Sequence, residues 1–139
     1  MIKLNGRYDH NAYRMGSYAL SQALIDAKVE DGTWVTLAND ELVLPKLGAK
    51  AFMLMGSAKD GRNQVAGQSM PLATILVGPL SLSTNMVDTT KTYAQMGALI
   101  VNAEGKLTPA TAPAVATEVV VAYALDSAIT DGFLRIVCA

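Results

Sequence analysis

The sequence predicts a mainly β fold, a small barrel or sandwich, on three observations. Short apolar runs rich in Val, Leu, Ile and Thr recur along the chain, turn dipeptides separate them, and the spacing is roughly ten residues, the signature of a compact all-β domain. The turn signals are Asp31-Gly32, Asn39-Asp40, Asp60-Gly61, Glu104-Gly105 and Asp131-Gly132.

The elements follow in chain order. MIKLNGRYDHNAYRMG has no apolar repeat of period 2 or 3.6, so residues 1–16 are expected to be an extended arm ahead of a single β-rich domain over 17–139. Tyr8, Tyr13 and Tyr18 recur at intervals of five, which fits neither a helix face nor a strand face. Amphipathic rings of this kind suit a partner surface, or they fold back on the domain. Ser17 to Val29 satisfies parts of both the strand and the helix template through Tyr18, Leu20, Ala23, Leu24 and Ala27. TWVTLA then reads as a strand, followed by the Asn39-Asp40 turn and ELVL. Pro45 and Gly48 punctuate the chain before AKAFMLMG, and KDGRN and a short VAG precede LATILVG. Pro71 and Pro79 bracket that last run as hard stops around a buried strand. PLSLSTNMV sets Leu80, Leu82 and Thr84 on one face and serines on the other. DTTKTYAQ, with Asp88 as cap, is expected to form one or two helical turns. ALIVNAEGKL reads as strand, turn, strand, and TPATAPA as an irregular loop. EVVVAYALD and GFLRIVC close the chain as two strands; in the second, Phe133, Arg135 and Val137 oppose Leu134 and Ile136.

Composition narrows the function. A chain of 139 residues buries roughly two-thirds of its unfolded surface and needs neither disulfide nor metal to fold. Its residues are 51% apolar but only 17% charged, against about 25% in an average domain, so its surface is expected to be poor in charge. That either marks a contact surface or means little, since small alanines make up much of the apolar count. Eleven basic and twelve acidic residues are scattered singly, which gives no electrostatic footprint for nucleic acid. Cys138 is the only cysteine and forms no intrachain disulfide. No apolar run approaches the ~20 residues of a membrane helix, and the opening residues are too polar for a signal peptide, so the chain is expected to be soluble and to remain where it is made.

The inventory for chemistry is thin. His10 is the sole histidine, and one His with one Cys does not supply the usual zinc sets. A histidine-dependent triad has only His10 to use. Asp31, Asp60, Glu104 and Asp131 each precede glycine and are accounted for as turn residues bonding nearby backbone. The glycines form no phosphate loop, and no calcium-loop pattern is present. Met53, Met55, Met70 and Met86 lie in strand-like stretches and read as core fillers. No enzyme activity, metal or cofactor is expected.

The order of features (a polar arm, DGTWVTL, PLATILVGPL, YAQMGALIVNAEGKLTPA, then VVAYALD and DGFLRIVCA) resembles the head decoration, or cement, proteins of tailed bacteriophages. The resemblance implies a small β-barrel or β-tulip-like domain with one or two short helices, made in the host cytoplasm and placed on the outer surface of the head. It implies the major capsid protein as partner, a homotrimer on the particle, stabilisation of the shell by bridging capsid subunits, and no nucleic-acid or membrane partner. The arm is carried over as the capsid-contacting element, with Tyr8, His10, Tyr13 and Arg14 as its candidate residues. A tail tube or fibre subunit, and a β-barrel ligand-binding or enzymatic domain built on backbone and hydroxyl groups, remain as alternatives.

Overall fold

The structure is a computed structural model that describes residues 2–4, 13–55, 72–77, 80–111 and 117–138. It is mainly β. The described strands are β1 (Ile2–Leu4), β2 (Tyr13–Leu20), β3 (Trp34–Ala38), β4 (Glu41–Val43), β5 (Phe52–Met55), β6 (Leu72–Val77), β7 (Ser81–Thr84), β8 (Ala98–Val101), β9 (Leu107–Pro109), β10 (Ala122–Ala124) and β11 (Leu134–Cys138), with one helix, α1 (Gln22–Ala27). β2, β4, β3, β5 and β6 close a small barrel, and β1-β7-β11-β10-β8-β9 form a second, six-stranded sheet. All pairings are antiparallel except β2 with β4.

Turn chemistry sets the hairpins. Asn39 and Asp40 both take positive φ (51° and 62°) between Ala38 and Glu41, the geometry a two-residue turn needs to match strand twist. Asp131 and Gly132 do the same between Thr130 and Phe133. At the β8–β9 turn the side-chain work is done by Asn102, whose Oδ1 accepts from the backbone of Glu104 and Lys106; Glu104 itself reaches Lys106 Nζ at 3.5 Å. The expectation that Glu104 bonds the turn backbone is therefore corrected, and so is that for Asp31, whose Oδ1 is buried with no hydrogen-bond partner among the described residues.

The barrel is filled from within by Leu20, Leu24, Val35, Leu42, Leu54 and Ile75, all buried. Leu24 comes from α1, which Ser21 caps by accepting from the Leu24 backbone N–H and which Lys28 ends in the left-handed conformation. The segment that satisfied two templates thus contains both elements in succession, a strand to Leu20 and a helix from Gln22. On the barrel's outer face, the register Trp34↔Met53 and Met53↔Leu76 lines up three large side chains. They enter a second core with Leu82, Leu99, Leu107, Leu134 and Ile136 of the six-stranded sheet. Backbone bonds tie the layers together: Trp34 N–H donates to Gly105 O at 2.9 Å, Gly48 N–H to Val101 O at 2.8 Å, and Val119 N–H to Gly48 O at 2.9 Å.

Several expectations are corrected. Ile2–Leu4 pair with β7 and Tyr13–Gly16 open β2, so these parts of the segment expected to be an extended arm are extended and paired into the two sheets. The missed signal is a register shift between Met15 and Tyr18. Tyr13, Met15 and Tyr18 stand opposite Val77, Ile75 and Ala73, alternate positions of β6, so a five-residue interval keeps one phase across the bulge. DTTKTYAQ forms turns rather than a helix, because Asp88 Oδ1 accepts from both the backbone N–H and the hydroxyl of Thr90, a local turn that competes with helix. Thr108 and Pro109 end β9 instead of opening a loop; β9 is the sheet's edge, where a missing N–H costs no ladder bond. EVVVAYALD is a regular strand only over Ala122–Ala124; before it Val121 N–H still donates to Leu99 O of β8, but Val119 N–H donates to Gly48 O. The Asp60-Gly61 turn, Pro71 and Pro79 lie outside the described residues.

Candidate interaction surface

Of the four residues expected to contact a capsid, Tyr8 and His10 lie outside the described residues, whereas Tyr13 and Arg14 take successive positions of β2 opposite Val77 and Leu76. Those two therefore belong to the barrel ladder and not to a free arm. Tyr18, the third of the spaced tyrosines, packs partly buried against the barrel core.

The described surface instead exposes aliphatic side chains that no motif in the sequence marks. Leu44 and Leu47 flank Pro45-Lys46 in the loop after β4, with 36% and 65% of their surface exposed, and Val119 is 38% exposed. Gly48 brings Leu47 and Val119 into one neighbourhood, since its carbonyl accepts from the Val119 N–H and a Cβ there would come within 3.2 Å of Glu118 Cγ. The Leu44 side chain lies instead by the β8–β9 turn, 3.3 Å from where a Cβ on Gly105 would stand. The signal in the sequence was two leucines in LPKLG, a stretch otherwise punctuated as a loop, where polar residues are the rule.

The ionisable groups with shifted pKa values serve local structure. Asp88 is held below the usual carboxylate range by the Thr90 hydrogen bonds, and Asp126 by a two-point contact with Arg135 (2.9 and 2.6 Å), which in turn raises the Arg135 guanidinium. The Tyr93 hydroxyl donates to the Asp88 carbonyl at 2.7 Å, and burial pushes it up to about 12, as burial does the Cys138 thiol. No group of three or more His, Cys, Asp or Glu stands close enough to hold a metal among the described residues. No family model matches the chain, and no curated protein or solved structure is significantly similar to it.

The described surface also carries concavities, among them one of about 330 Å³ lined by residues that include Thr92, Tyr93 and Pro109. A shallow groove of about 560 Å³ runs past Ser83, Gln95, Asp126, Thr130, Phe133 and Arg135 on the outer side of the six-stranded sheet. A narrower cleft of about 320 Å³ opens between barrel and sheet. The barrel interior is occupied by the six apolar side chains of its own core, as in other small barrels. Among the methionines, Met53 is buried in the inter-layer core and Met55 packs partly buried against it, in line with their reading as fillers; Met70 lies outside the described residues.

Proposed function

We propose that this chain is a decoration protein of a tailed-phage head, attaching to the outer surface of the shell as a homotrimer and bridging neighbouring major capsid subunits. The observation that carries the reading is the exposed Leu44, Leu47 and Val119 group on a domain with sparse, scattered charge. Burying a fully exposed Leu or Val contributes about 1.5–3 kcal/mol, and these three, already partly covered, contribute proportionately less. An apolar group of this kind suits a protein surface better than a small ion or a nucleic acid. The order of sequence features that resembles cement proteins supports the same reading, and the mainly β architecture is compatible with it.

A decoration protein works by mass action. Binding only the mature lattice stabilises that lattice by about RT ln(1 + [L]/Kd) per site, roughly 2.7 kcal/mol at a hundredfold excess over Kd. Contacts with more than one capsid subunit then combine through effective concentration into slow dissociation. Apolar contacts of this kind resist salt, because screening acts on exposed charges.

The reading is tested by adding the purified protein back to stripped heads and measuring co-sedimentation. Saturable binding to expanded heads, weak binding to unexpanded ones, and loss of binding on Leu47→Asp are expected. Equal binding to both shells, or none, overturns it.

A further inference from the structure

Between the barrel and the six-stranded sheet the two layers do not close completely. The cleft of about 320 Å³ is walled on one side by Trp34, Ala51, Phe52, Met53, Leu76 and Val77 and on the other by residues that include Leu80, Val121 and Cys138. Trp34, Met53, Leu76 and Leu80 are buried members of the inter-layer core, and they line this gap. Side-chain atoms facing such a gap lack dispersion partners on one side. Water is a poor occupant, since it requires two to four polar partners and these side chains offer almost none.

Among the described residues that line the cleft, one is charged, Lys50. Its ammonium stands 6.0 Å from the centre of the Phe52 ring, and it makes no ion pair among the described residues. We propose that the cleft binds a small apolar monocarboxylate, its hydrocarbon body between the layers and its carboxylate on Lys50. The volume lies at the small end of the roughly 300–1,000 Å³ range of small-molecule sites, which suits a medium-length chain or a single aryl group. A neutral apolar molecule fills the gap but leaves the ammonium unpaired. A dianion carries a second charge into walls that offer it no partner, at a desolvation cost that one lysine does not offset. The inference does not rest on the capsid reading, although Val119 of the exposed aliphatic group also lines the cleft.

Trp34 is the only tryptophan in the chain and lines the cleft, so its emission reports occupancy directly. The experiment titrates the full chain with decanoate, and with decanol as the uncharged comparator, following Trp34 emission and the methionine methyl resonances. Decanoate is expected to give a saturable emission change, to shift the methyl of Met53 and to leave that of exposed Met96 in place. Lys50→Gln, a change at an exposed position, is expected to weaken decanoate by about two- to fivefold and leave decanol unaffected. A response that never saturates, one that moves Met96 as much as Met53, or an unchanged decanoate affinity in Lys50→Gln overturns the proposal.

Discussion

Trp34 and Val35 are neighbours in β3, yet their side chains enter different cores, Val35 inside the barrel and Trp34 between the barrel and the six-stranded sheet. β5 and β6 split in the same way, with Leu54 and Ile75 inside the barrel and Met53 and Leu76 outside it. Three strands therefore belong to both cores, and the two cores are expected to melt together. Leu54→Ala in the barrel and Leu82→Ala in the sheet should each cost about 2–5 kcal/mol and lower the midpoint of a single transition. Calorimetry checks this, and two separable transitions in either variant would contradict it.

The indole N–H of Trp34 is buried and finds no acceptor among the described residues. Such a donor loses its water without a replacement bond, which offsets part of what the ring contributes by packing. Trp34→Ala is expected to cost about 3–5 kcal/mol, and Trp34→Phe much less, because it keeps an aromatic ring and removes only an unsatisfied donor. Denaturant midpoints followed by circular dichroism decide the comparison; equal losses would show that the N–H is better satisfied than the geometry indicates.

Two glycines at turns separate backbone strain from crowding. Gly105 and Gly132 both take positive φ, 76° and 82°, where a side chain costs about 1–2 kcal/mol. A Cβ at Gly105 would also meet Thr33 Cγ2 at 2.6 Å and the Trp34 carbonyl at 2.7 Å, whereas one at Gly132 meets nothing within 4 Å. Gly105→Ala should therefore destabilise clearly more than Gly132→Ala, as read by thermal melting. The opposite ranking would mean that the contact between the β8–β9 turn and β3 is looser than described.

Much of this fold was legible in the sequence because turn pairs and alternation act locally. Asn39-Asp40 and Asp131-Gly132 announced their hairpins, and Leu82 and Thr84, or Leu134 and Ile136, announced a buried face. The start of β2 was not legible, because the bulge between Met15 and Tyr18 breaks the period on which a strand is recognised. β1 escaped for a different reason: three residues are too few to show a period, and only their pairing with β7 makes them a strand. The nearness of Leu47 and Val119 depends on a backbone bond between residues far apart in the chain, which no local pattern encodes.

Alkaline pH is expected to loosen the domain. Tyr93 and Cys138 are both pushed up to about 12 from ordinary values of 10.0 and 9.0, chiefly by burial. The folded state thus holds these protons more tightly than the unfolded state does. The resulting stability is fully present below the unfolded values and is lost as pH rises through the folded ones. The melting temperature should fall from about pH 9 upward, and Tyr93→Phe with Cys138→Ala should flatten that fall. An unchanged pH dependence in the double variant would assign the alkaline loss to other groups.

The central claim, that this protein cements a phage shell through apolar contacts, is tested most directly by the temperature at which heads release their DNA. Heads stripped of the protein are compared with heads re-decorated by wild type or by Leu47→Asp, at low and high salt. The account predicts that wild type raises the release temperature at both salt concentrations and that Leu47→Asp, although folded, does not. Release at the same temperature from bare and decorated heads, or full protection by Leu47→Asp, would contradict it.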